Sequence, residues 1–137
     1  MTIIWEWLPN SNLGPIKLGN QISDYYEKFH LMKNEDIDNT GWVRYKFPSF
    51  DTYIDVENEI IVSISTYEEL IYKDKNIIGI QKNDLVNVLG SEPDEVGDPV
   101  LFDDGDLQTS YDYFDLGLQL WISNGVVVSA SCVNYSI

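Results

Sequence analysis

The dipeptide Asn124-Gly125 constrains the fold more than any other feature of the chain. It lies between two apolar runs, residues 116–123 and residues 126–133. Asn-Gly readily adopts the positive φ angles of the two-residue turns that join antiparallel strands. The runs themselves are rich in residues that favour β structure. The sequence therefore predicts a β-hairpin, with Trp121 partly buried against the sheet that the hairpin joins.

Further strands are indicated by runs of β-branched and aromatic residues that alternate with turn-forming segments. We predict strands over residues 42–47, 52–58, 59–65, 68–73 and 110–115. These segments make β structure the larger part of the predicted fold.

A first short helix is predicted over residues 20–32. Asn20 is a suitable cap, and Ile22, Tyr25 and Phe29 fall on one face at helical spacing. We expect this face to pack on the sheet.

A second short helix is predicted over residues 83–90. Asn83 is its expected cap, Leu85 and Leu89 form its apolar face, and Gly90 is its expected end. This helix is expected to pack on the same side of the sheet as the first.

An internal repeat is indicated by a gapless alignment of residues 53–65 on residues 119–131. Similar segments that combine an apolar stretch, a polar cap and a short helix precede both copies. One interpretation is a duplication with halves 13–73 and 77–137; the other is chance, because hairpins resemble one another. In either case the sequence predicts a single α+β domain, residues 1–137, with a mainly antiparallel sheet and two short helices packed on one side.

The charge of the chain is strongly negative and unevenly distributed. There are 23 acidic and 8 basic residues, which give a formal net charge of -15. Every basic residue lies at or before Lys82, whereas residues 92–115 hold nine carboxylates and no base. Such a surface repels nucleic acid and anionic membranes and accelerates encounters with cationic partners. We therefore expect neither a nucleic acid nor a membrane as a partner, although acidity also serves solubility alone.

A metal site is the first possible explanation of the acidic stretch, but the sequence does not predict one. The acidic run at 103–106 lacks EF-hand spacing, because Gly105 stands at a ligand position and Phe114 at the twelfth position. A calcium site of a different type is left open. The single histidine, His30, and the single cysteine, Cys132, cannot supply an ordinary zinc or iron ligand set. We expect no cofactor.

Catalysis by paired carboxylates is the second explanation of the acidic stretch, with Tyr111 and Tyr113 as a platform for a sugar. Such chemistry needs one carboxyl group in a pocket that raises its pKa. Many acids on loops indicate solvation instead, and no nucleophile motif is present. We therefore predict that the protein is not an enzyme.

The expected compartment is the cytoplasm. A lone Cys132, in an apolar run, excludes an internal disulfide and is expected to be a small buried residue. The first ten residues lack the basic and apolar regions of a secretory signal.

A docking surface for a protein is the third explanation of the acidic stretch, and we favour it. Acidic side chains steer a basic partner, and interleaved aromatic rings anchor it. The most basic compact proteins are those that bind RNA or DNA. The predicted partner-binding residues are Asp94, Glu95, Asp98, Asp103, Asp104, Asp106, Tyr111 and Tyr113.

Three segments, 13–29, 79–95 and 111–133, give the chain a resemblance to a known class of proteins. Together with the small size and acidity, they resemble immunity proteins of bacterial polymorphic-toxin systems, above all those of contact-dependent growth inhibition. The resemblance implies a cytosolic, non-catalytic protein that binds and neutralises one cognate toxin domain, commonly a nuclease. No site residue is carried over by motif. The alternative is an acidic regulatory or scaffold module that binds a peptide at a strand edge.

Overall fold

An antiparallel sheet of nine strands dominates the computed structural model, which describes residues 3–34 and 41–134. The strand order is β10-β12-β13-β14-β7-β6-β5-β4, and β11 also pairs with β12. Two small antiparallel units, β1-β2-β3 and β8-β9, complete the β structure. The elements are β1 Trp7–Leu8, β2 Asn12–Leu13, β3 Ile16–Lys17, β4 Met32–Lys33, β5 Val43–Lys46, β6 Thr52–Glu57, β7 Ile60–Thr66, β8 Ile71–Tyr72, β9 Lys75–Asn76, α1 Leu85–Leu89, β10 Glu95–Val96, β11 Val100–Leu101, β12 Leu107–Tyr113, β13 Leu118–Ser123 and β14 Val126–Val133.

The predicted hairpin is confirmed. Strands β13 and β14 pair with each other, and Ser123 lies opposite Val126. Asn124 and Gly125 between them have φ angles of 52° and 78°, as a tight hairpin turn requires. Trp121 is partly buried, as expected.

The helix predicted over residues 20–32 is wrong. Only Ile22–Asp24 form a short 3-10 helix, and turns continue to His30. Asn20 does not cap it; its amide donates a hydrogen bond to the Tyr25 hydroxyl instead. Tertiary packing of aromatic rings overrides the weak helical propensity of this segment, since Phe29 packs against Phe47, just after β5, while His30 ends the turn at a φ of 53°.

The second predicted helix is confirmed as α1. Gly90 ends it in the left-handed conformation, with a φ of 82°. Asn83 is not its cap, because it lies inside a 3-10 turn over Lys82–Asp84 that leads into the helix. The fold is thus mainly antiparallel β with one short α-helix.

The strand predicted over residues 68–73 is largely wrong. Only Ile71 and Tyr72 are extended, and they form a small hairpin with β9 outside the main sheet. Lys73 and Asp74 both have positive φ angles and form the turn. The pattern of apolar residues did not indicate this early reversal of the chain.

The hydrophobic core lies on one face of the main sheet. It contains the residues predicted to pack there, since Ile22, Phe29, Leu85 and Leu89 are buried and Tyr25 is half-buried against them. The N-terminal segment, the 3-10 turns and α1 cover this face; their apolar side chains have no other surface to pack on. The predicted burial of Cys132 is also confirmed, and burial raises the pKa of its thiol. The largest fully buried side chains include those of Trp5, Trp7, Phe47 and Tyr113.

The two central hairpins of the sheet correspond to each other when 66 is added to each residue number, so that Asp55 corresponds to Trp121. This relation is called the 66-residue shift. The register of β6 and β7 shifts after Asp55, and the register of β13 and β14 shifts after Trp121. Both irregularities therefore occupy the same place in their hairpins. Such bulges bend a sheet, so the two bends are equivalent.

The same shift extends to the centre and the outer part of the sheet. Val43 lies opposite Val56 in one half, and the shifted pair in the other half is Thr109 and Ile122. Strands β7 and β14 meet at the centre, where Ser65 lies opposite Ser131 and the two hydroxyls are 2.8 Å apart. The two halves of the sheet thus have matching registers around a central serine pair.

Candidate functional site

The acidic stretch forms one edge of the main sheet. Strands β10 and β11 both pair with β12, so residues 94–113 make a long, interrupted hairpin, here named the acidic hairpin. Its tip is closed by two backbone hydrogen bonds, from Phe102 N–H to the Asp106 carbonyl and from Gly105 N–H to the Phe102 carbonyl. The sequence predicted loops with a single strand here; the structure gives an ordered sheet edge.

Some of the predicted partner-binding carboxylates hold the chain in place. One carboxylate oxygen of Asp94 accepts a hydrogen bond from Phe114 N–H at 2.7 Å. An oxygen of Asp104 accepts one from Asp106 N–H at 2.9 Å, which is the local bond of an Asx turn. These carboxylates stabilise turns and are exposed at the same time.

Asp106 ties the acidic hairpin to its neighbour strand. One of its carboxylate oxygens accepts a hydrogen bond from the Ser123 hydroxyl at 2.7 Å, and the other accepts one from Gln108 at 3.0 Å. With both oxygens engaged and the side chain partly buried, Asp106 contributes to the hairpin more than to any outer surface. Its predicted role as a partner contact stays a prediction.

Other acidic side chains of the stretch point to solvent. Glu95, Asp98 and Asp103 are exposed, as are Glu92 and Asp115. Glu95, Asp98 and Asp103 were predicted to bind the partner, and the structure places these three residues on the acidic hairpin. They are the carboxylates that a basic surface would meet.

The acidic hairpin also exposes apolar side chains that the sequence did not single out. Leu101 is 70% exposed and Leu107 is 57% exposed. The two residues lie directly opposite each other in the register, so their side chains are neighbours on one face. Val96 is exposed as well and lies opposite Tyr111.

These apolar residues share one face because side chains alternate along β12. Leu107, Tyr111 and Tyr113 are separated by even numbers of residues and therefore project to the same side. Leu107 and Tyr111, with the opposite residues Leu101 and Val96, form an exposed apolar surface interrupted by Thr109, here named the apolar hairpin face. Exposed apolar side chains rimmed by charges are typical of protein-binding surfaces.

The structure separates the two predicted tyrosine anchors. Tyr111 is half-buried and is available at the surface, whereas Tyr113 is 1% exposed and belongs to the core. Desolvation, with smaller effects of Tyr111 and Glu92, raises the pKa of Tyr113 to about 12. Tyr113 is therefore not exposed as a surface anchor, and its predicted contact with a partner stays a prediction that concerns the cleft beside it.

A cleft lies between α1 and the inner end of the acidic hairpin. Its volume is about 360 Å³. Most of its lining is polar, and Tyr111 and Tyr113 both contribute to it. The residues around it are Lys82, Asn83, Leu85, Val86, Ser91, Glu92, Pro93, Val96, Tyr111 and Tyr113. The apolar hairpin face leads directly into this cleft through Val96 and Tyr111.

A second concave region, which the sequence did not predict, lies on the open face of the sheet. This groove has a volume of about 370 Å³, and serines at 63, 65, 129 and 131 line it. In this groove, two hydrogen bonds of 2.8 and 3.1 Å join Arg44 to the buried carboxylate of Asp55 as an ion pair. The bond to Asp55 raises the pKa of the Arg44 guanidinium. The 66-residue shift relates the serines in pairs, and this repeat is the signal in the sequence that could have indicated the groove.

The acidic hairpin borders this groove. Phe102, near the tip, packs edge-on against Trp121 of the groove, with ring centroids 5.3 Å apart. Gln119, which also lines the groove, donates a hydrogen bond to Asp112 at 2.9 Å. The hairpin and the groove are therefore parts of one continuous surface.

Three further findings bear on the site. Over residues 3–34 and 41–134, no group of three or more histidine, cysteine, aspartate or glutamate side chains is arranged to hold a metal ion. No helix in the same ranges is long and apolar enough to cross a bilayer. Comparisons with protein-family models, curated proteins and solved structures give no significant match.

Proposed function

We propose that this protein is a cytoplasmic, non-catalytic immunity protein that binds and neutralises a basic toxin domain, commonly a nuclease. The observation that carries the proposal is the pair of exposed leucines, Leu101 and Leu107, within the most acidic part of the chain. Exposed apolar residues give a partner something to bury, and the surrounding carboxylates select a basic partner. The toxin-neutralising role itself rests on the resemblance described above.

The energetics require both kinds of side chain. Neutralisation of a toxin needs nanomolar binding, about -12 kcal/mol. Exposed ion pairs contribute only about 0.2 to 1 kcal/mol each, so the carboxylates alone do not reach this value. Burial of one leucine contributes about 1.5 to 3 kcal/mol. The leucine pair therefore replaces Tyr113 as the proposed anchor, together with Tyr111.

The alternative is a regulatory or scaffold module that binds a peptide by adding a strand to the sheet edge. The outer strand of the acidic hairpin is poorly suited to this, since Pro99 has no N–H to donate and Asp98 is exposed beside it. Docking through side chains fits the hairpin better than strand addition does.

The strong negative charge of the chain disfavours anionic partners, so the proposed partners include neither nucleic acid nor membrane.

Charge reversal tests the steering part of the proposal. The variant Glu95→Lys, Asp98→Lys, Asp103→Lys is expected to slow association with the toxin domain about tenfold and to flatten its dependence on salt. The toxin domain for this test is sought as the basic C-terminal domain of a large secreted protein, if a neighbouring upstream reading frame encodes one. Stopped-flow association rates at two salt concentrations provide the measurement. Asp104 and Asp106 are left unchanged, because their carboxylates close the hairpin.

A matched control changes the net charge equally at a distance from the acidic hairpin. The variant Glu6→Lys, Asp24→Lys, Glu27→Lys replaces three other exposed acids and is expected to slow association far less. Equal effects of the two variants would mean that only the net charge matters. The acidic hairpin would then not be the docking surface.

We also propose that the chain arose by duplication of a unit made of a short helix or turn and a hairpin. The support is the matching register of the two halves, including the equivalent irregularities after Asp55 and Trp121. In both halves, moreover, a glutamine that precedes a 3-10 turn forms a bridge to the start of a hairpin strand, Gln21 to Ile60 and Gln81 to Val126.

A further inference from the structure

The hydroxyl of Tyr113 is a buried polar group without a hydrogen-bond partner among the described residues. Buried hydroxyls nearly always have a partner, because desolvation without one costs free energy. Tyr113 lines the cleft between α1 and the acidic hairpin. A molecule that enters this cleft with a hydrogen-bond donor would supply the missing partner.

The other half of the sheet shows that the fold does not need this hydroxyl. The 66-residue shift relates Tyr113 to Phe47, and both residues are buried in the core. Phe47 N–H donates to the Thr52 carbonyl, and the equivalent residues of the other half, Tyr113 and Leu118, are also paired. A phenylalanine thus fills the equivalent position with its ring alone. The extra oxygen at Tyr113 is therefore unexplained by packing.

We propose that the cleft receives an arginine side chain of the basic partner. This inference rests on the proposed function and adds the chemical group that the site recognises. The guanidinium donates hydrogen bonds to the Tyr113 oxygen and to the Glu92 carboxylate, and its plane stacks on the ring of Tyr111. Arginine is favoured over lysine because its planar fork can donate in several directions at once.

Several features of the lining agree with a cationic occupant. Glu92 is an exposed carboxylate that lines the cleft together with Tyr111 and Tyr113. Burial is the main cause of the raised pKa of Tyr113, and Tyr111 and Glu92 add smaller effects. Lys82 is the one cation in the lining; it is exposed, so it can turn to solvent. The overall charge of -15 further disfavours an anionic occupant.

The test uses a capped tripeptide, acetyl-glycyl-arginyl-glycinamide, as the probe and its citrulline analogue as the uncharged control. Amide chemical shifts of the full chain are followed during titration with each peptide. The arginine peptide is expected to shift the amides of Ser91, Val96 and Tyr111 saturably, and the citrulline peptide is expected not to do so. Tyr113→Phe and Glu92→Gln should each weaken binding of the arginine peptide about tenfold, as expected for loss of a hydrogen bond to a charged group.

A second measurement separates recognition from a structural role. Tyr113→Phe removes an unpaired buried oxygen, so its melting temperature should equal or exceed that of the wild type. Lys82→Ala, which removes the opposing charge, should bind the arginine peptide as well as the wild type or better. If Tyr113→Phe changes only stability, or if both peptides shift the same amides equally, the hydroxyl is satisfied by water and the inference is wrong.

The peptide titration needs no toxin domain. Its failure can therefore be distinguished from a failure of the proposed function. Failure of the peptide test together with tight binding of the toxin domain would overturn the cleft proposal alone. Peptide binding in the cleft without any binding of the toxin domain would support the cleft and overturn the proposed function.

Discussion

Replacing both Leu101 and Leu107 with serine is expected to weaken binding of the toxin domain about 100-fold or more. Both side chains are mostly exposed, so their removal should cost the fold little. In a complex they would be buried together at the tip end of the apolar hairpin face, where they are the most exposed apolar pair. The loss is expected in a faster dissociation rate with little change in association. Surface-binding kinetics measure both rates, and thermal unfolding checks the fold.

A control variant removes two apolar side chains of similar exposure from another surface. Ile4 is 66% exposed and Leu8 is 52% exposed, and both belong to the N-terminal segment. Ile4→Ser, Leu8→Ser is expected to leave both rates close to those of the wild type. If this variant dissociates fast while the Leu101 and Leu107 variant binds normally, the docking surface lies on the N-terminal side.

Gly117→Ala is expected to lower the free energy of unfolding by about 3 kcal/mol or more. Gly117 has a φ of 63°, which costs an alanine about 1 kcal/mol or slightly more. A methyl group there would also lie 2.5 Å from the Asn10 side-chain oxygen and 2.6 Å from the Val133 carbonyl oxygen. Val133 belongs to β14, and its N–H donates a hydrogen bond to the Gly117 carbonyl. Relief of the clash therefore requires movement of the sheet. Denaturant unfolding measures the change.

Gly125→Ala separates the conformational cost from the cost of the clash. Gly125 also has a positive φ, 78°, but a methyl group there would meet no atom within 4 Å. Its substitution should therefore cost only about 1 kcal/mol. Equal losses in the two variants would show that the contacts around Gly117 yield easily, contrary to our account of this turn.

Local signals predicted the parts of the fold that depend on neighbouring residues. The hairpin of β13 and β14 follows from Asn124-Gly125, whose turn geometry is a property of the dipeptide itself. The end of α1 at Gly90 is predictable for the same reason. The helix over residues 20–32 failed because its aromatic side chains pack on distant strands, as Tyr26 does on Tyr45 and Phe29 on Phe47. A helical spacing of apolar residues does not reveal such contacts.

The candidate site was predictable in its charge but not in its anchors. The count of carboxylates indicated the stretch of chain that forms the acidic hairpin, and composition is sufficient for that. The neighbourhood of Leu101 and Leu107 depends on the register of β11 and β12, which the sequence did not specify. The burial of Tyr113 could have been predicted from the repeat, because the 66-residue shift relates it to Phe47, an apolar residue that is also buried.

We propose that the acidic hairpin makes this chain a tight binder of a basic toxin domain. The dissociation constant between the wild-type chain and a purified candidate toxin domain, measured by calorimetry at low and at physiological salt, tests this proposal. We predict nanomolar or tighter binding, which corresponds to about -12 kcal/mol or better, and a clear weakening as salt increases. Binding weaker than about 1 μM, or nanomolar binding without any dependence on salt, would contradict the account.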